Sequence, residues 1–350
     1  MKKSTYFKLI VSALFISLVF LSCENAPAAK SSELINASIP ATKDSIKSPD
    51  TLTVENIFFD PEEYHKKVLA LAHDSITKRW PAKSPVPLKG AILPFQRIVA
   101  YYGNFYSRHM GILGSLPEEQ LIHNLNAEVE KWQNADKTTP VIPAIHYIAI
   151  TAQSKPGKGN TYRLRMPEKQ ILKAVSLAKK MKGITFLDIQ VGHSTVKKEV
   201  PSLEQYLISP DVHLGLDPEW SMKDGSIPGR KIGSMNAADI NFAIDYLSAL
   251  VKKHHLPPKI LVVHRFTKGM ITNSDKIKKT PEVQIVINMD GFGFPAKKID
   301  SYKRFVSGYP VQFTGFKLFY KNDTKSKPYR MMSPKEILKL YPKPIYIQYQ

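Results

Sequence analysis

The chain has 350 residues, one cysteine and a formal net charge of +20, from 50 Lys and Arg against 30 Asp and Glu. A single cysteine excludes an internal disulfide, and the dispersed lysines, without a basic arm or a nucleic-acid-binding motif, argue against a nucleic-acid partner. The charge favours anionic neighbours, such as an acidic envelope polymer or anionic lipid. The alternative is a generally basic, solvated surface.

The N-terminus has the pattern of an export signal. Three lysines within the first eight residues precede an apolar run over residues 9–21, which is shorter than the roughly 20 residues that a membrane span needs. The next segment, Phe-Leu-Ser-Cys, resembles a bacterial lipobox. We therefore expect residues 1–22 to be a lipoprotein signal peptide and Cys23 to be lipidated. The protein would then lie in the bacterial cell envelope, anchored to a membrane after export; the alternative is a plain secretory signal with an incidental cysteine.

The chain then divides into three parts of different composition. Residues 23–54 are rich in Ala, Ser, Lys, Pro and Thr and have no apolar period, which predicts a flexible tether. Residues 55–90 hold one predicted helix and a proline-rich run, and we interpret them as a helical extension packed on the main domain. Residues 91–350 remain, about 260 in number, close to the ~250 residues typical of a (β/α)8 barrel.

Eight short apolar runs recur through the main domain, each ending in polar or aromatic residues, and helical patterns fill most of the gaps. Alternating β and α signals at this spacing predict an α/β fold, a (β/α)8 TIM barrel, whose active site lies at the C-terminal ends of the strands. The runs cover residues 98–104, 141–151, 184–193, 212–220, 259–266, 283–293, 313–320 and 345–350.

Carboxylates lie near the C-terminal ends of three of these runs. Asp188 and Gln190 are two residues apart on the third run, as are Asp217 and Glu219 on the fourth, so each pair can share the inward face. Asp290 ends the sixth run in Met-Asp-Gly-Phe-Gly. An acid next to apolar strand residues is costly to bury without a partner, so Glu219, Asp217, Asp188 and Asp290 are the candidate catalytic residues. The alternative is that they cap adjacent loops or tight turns.

Aromatic and polar side chains gather at the same strand ends. Aromatic faces above a carboxylate-lined cleft suit the C–H faces of sugar rings, although bulky side chains also fill the top layer of a barrel. Loop cations, including Arg163, Arg165 and Arg265, outnumber loop acids and favour an anionic substrate. The candidate substrate-binding residues are Tyr102, Asn104, His146, Gln190, His193, Trp220, His264, Lys317 and Tyr320.

Two of these histidines admit a second interpretation. His146 and His264 stand at apolar strand ends, where a histidine is often a hydrogen-bonded core residue. With the neighbouring acids they would approach metal-site chemistry, but no HExxH or comparable local spacing supports it. No metal and no other cofactor is therefore expected.

The chain resembles a family of bacterial secreted and lipid-anchored proteins that share a glycoside hydrolase-like TIM barrel. The resemblance covers about residues 97–350 and rests on AYYGN, LDIQ, LDPEW, IPGR-x-IGS, VVH-x-F, MDGFG and GFKLFY. It implies a fold and a location but no particular reaction. Many barrel glycosidases of the retaining type carry an acid after strand four and a second carboxylate after strand seven. Glu219 fits the first position, whereas the seventh run supplies Lys317 and no carboxylate.

These patterns lead to one functional hypothesis and two alternatives. The hypothesis is an envelope-anchored lipoprotein that hydrolyses a glycan, with Glu219 as general acid and Asp217, Asp188 or Asp290 as the partner carboxylate. The missing strand-seven acid favours an inverting mechanism, in which the carboxyl groups lie about 6.5–9.5 Å apart. The alternatives are a non-catalytic lipoprotein that binds glycan or cell wall, and a metal-dependent hydrolase or phosphodiesterase that uses both histidines.

Overall fold

A computed structural model describes residues 59–350 of the protein. The predicted signal peptide, the tether and Cys23 lie outside the described residues. Within them, no helix is both long and apolar enough to cross a membrane.

The main domain is a closed barrel of eight parallel strands, as the sequence predicts. Each strand pairs with the next one in chain order, and the eighth pairs back with the first through the register Ile98 to Tyr346. A short strand, Arg163–Arg165, pairs in antiparallel orientation with the C-terminal end of the second barrel strand. The barrel strands are β1 (Arg97–Gly103), β2 (Val141–Ala152), β3 (Ile184–Ile189), β4 (Val212–Leu216), β5 (Lys259–Arg265), β6 (Val283–Met289), β7 (Phe313–Leu318) and β8 (Tyr346–Tyr349).

Helices cover the barrel except between β5 and β6. There the chain forms the 3-10 turns Lys268–Met270 and Ser274–Lys276 and, between them, the short strand Ile271–Thr272, which pairs with Met235–Asn236. The intervening sequence has no helical apolar period, and Asn273 takes a left-handed conformation at φ 55°. A π-helical turn, Tyr302–Ser307, continues the helix after β6. The helices are α1 (Pro61–Leu71), α2 (Glu118–Ala135), α3 (Glu168–Lys180), α4 (Val196–Glu199), α5 (Glu204–Leu207), α6 (Ala237–His254), α7 (Pro295–Ser301) and α8 (Pro334–Ile337).

The barrel interior contains an apolar layer and a polar layer. Strand side chains alternate between the interior and the surrounding helices. Near the N-terminal ends of the strands the interior is apolar, and Tyr64 of α1 packs in the same cluster. We call the residues Ile98, Ile184, Ile260 and Val286 the lower layer.

Further along the same strands, toward their C-terminal ends, the inward positions become polar and remain buried. The upper layer consists of Tyr102, His146, Asp188, His264 and Lys317, whose side chains are 3% exposed or less. Because the upper layer faces the end where barrel active sites form, it positions the candidate site.

Candidate active site

A cleft of about 640 Å³ opens above the upper layer, at the C-terminal ends of the strands. Carboxylates and aromatic rings from several strand ends line it, together with two lysines. Its principal lining residues are Tyr102, Gln190, Asp217, Glu219, Trp220, Phe266, Asp290, Phe292, Lys297, Lys317 and Phe319.

Asp217 ends β4 and has two roles in the cleft wall. Its Oδ1 accepts a 3.3 Å hydrogen bond from the backbone N–H of Glu219, so it caps the 3-10 turn Pro218–Trp220. Its Oδ2 accepts a 3.3 Å hydrogen bond from Gln190 Nε2. Burial raises the pKa of Asp217 to about 7. The loop-capping interpretation and the cleft-lining interpretation therefore both apply to this residue.

Glu219 is carried into the cleft by that capped turn, next to Trp220. Among residues 59–350, no group donates a hydrogen bond to its carboxyl, although its backbone is held on both sides. Burial raises the pKa of Glu219 to about 8, and the negative charges of Asp217 and Asp290 act in the same direction. A carboxyl group in this setting is protonated near neutral pH and is a suitable proton donor.

Asp290 ends β6 and is held by two cations from neighbouring strands. Lys317 Nζ lies 3.0 Å from its Oδ1, and His264 Nδ1 lies 2.9 Å from its Oδ2. Burial alone would raise the pKa of Asp290, but the two cations outweigh it and hold this pKa below its usual range. The carboxylate binds side chains on adjacent strands. Its role is therefore not limited to capping a tight turn.

Asp188 lies beneath the cleft rather than in its wall. Tyr102 covers it and donates a 3.0 Å hydrogen bond to its Oδ2. Its Oδ1 lies 3.4 Å from His146 Nε2 and 3.7 Å from His264 Nε2. Burial would raise its pKa, but the two histidines lower it overall. Asp188 is therefore positioned to support the cleft from below.

The two buried histidines have opposite electrostatic settings. Burial lowers the pKa of His146 to about 4, because the attraction of Asp188 does not offset desolvation. Burial also acts to lower the pKa of His264, but Asp188 and Asp290 together raise it to about 10. His264 therefore links the two carboxylates, whereas His146 is neutral.

The Lys317 ammonium contacts groups of the protein itself, which leaves it less able to bind an incoming anion. Besides its salt bridge to Asp290, its Nζ lies 3.7 Å from the centre of the Tyr102 ring. The ammonium thus packs over an aromatic face at a distance typical of a cation–π contact. Lys317 lies on strand seven, after which many retaining barrel glycosidases carry their second carboxylate.

Five predicted binding residues do not line the cleft: His146 and His264 lie beneath it in the upper layer, and the other three are directed elsewhere. Asn104 donates to the carbonyl of Ile148 at 2.9 Å and orders the loop after β1. His193 packs on Tyr162 and bonds the carbonyl of Ser226. Tyr320 lies on the face opposite to Lys317, in an aromatic cluster between the barrel and its helices. Nearness to a strand end predicted these positions, but strand parity and loop path directed the side chains elsewhere.

Two cleft residues with basic side chains were not predicted. His109 reaches the cleft from the loop after β1, and Lys297 reaches it from α7. Neither is at a strand end, so a search limited to strand ends misses both. The position of Lys297 two residues after the Gly-Phe-Gly-Phe-Pro segment was the only local signal.

Several of the predicted rim cations have partners within the chain. Arg163 and Arg165 bind opposite oxygens of Glu199 at 2.9 and 2.8 Å. Arg265 is buried and donates to backbone carbonyls of the loop after β5, so it does not face a substrate. The excess of cations in the sequence was counted over loop residues alone. Acids on helices, such as Glu199, also neutralise loop cations, so the rim is less positive than the sequence suggests.

The comparisons with known proteins concern the fold. No protein-family model matches the chain, and no curated protein matches it in sequence. Solved structures similar to it include a Bacillus subtilis mannanase, with 12% identity and a TM-score of 0.38 over 73% of this chain and 80% of that one. Another is the alkaline cellulase K catalytic domain, with 11% identity and a TM-score of 0.41 over 76% of each chain.

A third similar structure is a broad-specificity endoglucanase from an uncultured bovine rumen ciliate. It is 10% identical with a TM-score of 0.34 and covers 67% of this chain and 77% of that one. At these TM-scores the likeness supports neither a substrate nor a mechanism. The chain is a TIM barrel with glycoside hydrolases among the structures that it resembles.

Proposed function

We propose that the barrel hydrolyses a glycosidic bond in its cleft, with Glu219 as the general acid and Asp290 as the partner carboxylate. The observation that carries this proposal is the contrast between two acids in one cleft. Glu219 has no hydrogen-bond donor among the described residues and adjoins Trp220, whereas Asp290 is bound by Lys317 and His264. Two carboxyl groups in contrasting environments are the requirement of acid-catalysed glycoside hydrolysis.

The roles follow from this arrangement. Glu219 donates its proton to the glycosidic oxygen as the bond to the anomeric carbon breaks. Asp290 accepts a proton from the water that attacks that carbon, so the products are two sugars with free hydroxyl groups and the acids exchange protonation states. Because β7 contributes Lys317 instead of an acid, we infer a single displacement with inversion at the anomeric carbon. Proton NMR of the first-formed product anomer tests this inference.

The substrate that best suits this cleft is an anionic glycan. The rings of Trp220, Phe266 and Phe292 line it and offer flat faces for sugars, and Lys297 supplies a cation at the same wall. Lys297 also lies over the Phe292 ring, with its Nζ 5.4 Å from the ring centre. A ring and an adjacent ammonium suit a sugar that bears a carboxylate or sulfate.

We also infer that the protein acts at a membrane surface, anchored through Cys23. The support is the basic and apolar pattern of residues 1–22, followed by a cysteine that is the only one in the chain. Metabolic labelling with a fatty-acid analogue tests it. We expect the full chain to be labelled in cells and the Cys23→Ala variant to lose the label; labelling of that variant would contradict the anchor.

The test of the catalytic proposal is the Glu219→Gln variant, assayed on a panel of neutral and acidic polysaccharides. The amide keeps the shape of the side chain but has no acid proton, so turnover should fall about 10²–10⁴-fold while glycan affinity is retained. Glu128→Gln is the matched control, since Glu128 is also a buried glutamate but lies outside the cleft. Full turnover by Glu219→Gln would remove Glu219 from the mechanism. Binding without turnover by the unmodified chain would instead indicate a glycan-binding module.

A further inference from the structure

Three buried atoms of the upper layer that could each bind a metal ion lie close together and have no hydrogen-bond partner. They are Nε2 of His146, Oδ1 of Asp188 and Nε2 of His264, from β2, β3 and β5. All three side chains are fully buried, and the three atoms lie within 4.8 Å of one another. Among the described residues, no other group of histidine, cysteine or acidic side chains converges in this way. A carboxylate oxygen and two ring nitrogens without hydrogen bonds are costly to bury, and a bound group that contacts all three would offset that cost.

The spacing of these atoms is too long for direct hydrogen bonds. Asp188 Oδ1 lies 3.4 Å from one ring nitrogen and 3.7 Å from the other, beyond the usual range of about 2.7–3.2 Å. A transition metal binds histidine nitrogen and carboxylate oxygen at about 2.0–2.2 Å in tetrahedral geometry, which separates neighbouring ligands by about 3.3–3.6 Å. The first separation falls within this range, and the second exceeds it by about 0.1 Å.

The remaining polar atom of each side chain is held from outside the cluster. Tyr346 Oη lies 2.6 Å from Nδ1 of His146, and Asp290 Oδ2 lies 2.9 Å from Nδ1 of His264. Tyr102 donates to the second oxygen of Asp188. Metal-binding histidines commonly have such a partner on the other nitrogen, because it fixes the ring and leaves Nε2 bare toward the ion.

Gly215 on β4 provides the space that the cluster needs. A Cβ atom at this position would lie 2.3 Å from Asp188 Oδ1 and 2.5 Å from His146 Nε2, which are overlapping distances. Only glycine therefore allows both donor atoms to occupy their positions beside β4.

We propose that His146, Asp188 and His264 bind one divalent first-row transition-metal ion beneath the cleft. Two imidazoles and a carboxylate suit zinc and its neighbours in the series. Histidine binds a metal only as neutral imidazole, so a proton on Nε2 of His264 leaves as the ion enters. Tyr102 lies between this site and the cleft, and the ion is thus placed to support Tyr102 and Asp290 without contacting the glycan. The proposal does not depend on glycoside hydrolysis.

The test measures metal content and affinity in the full chain without a polyhistidine tag. The chain is stripped with a chelator, and Zn²⁺ binding is measured by calorimetry and elemental analysis. We expect one ion per chain, with affinity at least about 100-fold lower in His146→Gln and Asp188→Asn and about 10–100-fold lower in Asp290→Asn. Gly215→Ala should lose the site through overlap alone.

His213→Gln is the matched control. His213 is another fully buried barrel histidine whose Nε2 has no partner among the described residues, but it does not belong to the cluster. Its substitution should leave Zn²⁺ affinity unchanged. If a variant fails to fold, Co²⁺ binding to the unmodified chain provides the test. The visible absorption of the bound Co²⁺ should indicate nitrogen and oxygen ligands, at one ion per chain. Absence of a stoichiometric ion, or equal affinity in all folded variants, would overturn the proposal.

Discussion

The two layers of the barrel interior share the strands β1, β3 and β5 and differ in what they contribute. The lower layer, Ile98, Ile184, Ile260 and Val286, is apolar, and its contribution is packing. The upper layer buries Asp188, His264 and Lys317 to nearly the same degree. Burying charge costs free energy that apolar packing does not, and the proposed function would account for that cost. On that proposal, stability depends mainly on the lower layer and turnover on the upper layer.

The largest expected effect is on turnover, from a substitution at the edge of the upper layer. Asp290→Asn keeps the shape of the side chain but is a poor proton acceptor, so kcat should fall about 10²–10⁴-fold. Asp323→Asn is the matched control, because Asp323 is also buried and bound to a lysine, Lys298, at 2.8 Å, but lies outside the cleft lining. Steady-state kinetics should show kcat close to that of the unmodified chain in the folded control. Equal losses in both variants would indicate a structural role for Asp290.

The next effect concerns the stability of the upper layer. Lys317→Met leaves the buried Asp290 carboxylate without its 3.0 Å ammonium partner, and breaking a buried pair in this way costs about 3–5 kcal/mol of unfolding free energy. Urea unfolding of this variant, of Asp290→Asn and of the double variant measures the coupling. We expect the double variant to be more stable than the sum of the two losses predicts. Additive losses would show that the two residues act independently.

The lower layer should behave differently. Ile260→Ala removes a fully buried side chain and should cost about 2–5 kcal/mol of unfolding free energy, through lost burial and the cavity that remains. Because Ile260 is remote from the cleft, kcat of the folded variant should be unchanged. Ile208→Ala is the control, since Ile208 is 40% exposed and its loss should change stability by less than about 0.5 kcal/mol. A large fall in kcat for Ile260→Ala would show that the two layers are coupled.

The last expected effect is the pH dependence caused by Glu219. Its pKa is raised by burial to about 8 in the folded chain from a usual value of 4.5, so the folded state retains this proton over a pH range in which the unfolded state loses it. Its contribution to stability is fully present below pH 4.5 and is lost as the pH rises through about 8. Thermal unfolding from pH 5 to 9 should therefore show a smaller decline in Glu219→Gln than in the unmodified chain. Turnover should fall above the same pKa, because a general acid must be protonated.

The expectation that site residues lie at the C-terminal ends of the strands matches the positions of three acids. Asp217 and Glu219 share the cleft wall, and Asp290 joins them from β6. This expectation was less informative for Asn104, His193 and Tyr320, which bind backbone carbonyls or pack outside the barrel. Alternation places a side chain on a face only while the strand continues. Beyond β1, β3 and β7 the path of the loop decides, and the sequence carries little information about that path.

The sequence by itself determined the architecture and the end of the barrel at which to search. Local signals suffice for both, because apolar runs and helix patterns depend on neighbouring residues. Only the tertiary structure decided that Lys317 binds Asp290 and that His146, Asp188 and His264 converge. Those contacts join strands that are distant in the chain, and they depend on the register at which the barrel closes. Burial at that closure also determines which acid retains its proton, since desolvation and cross-strand charges act only after the strands have assembled.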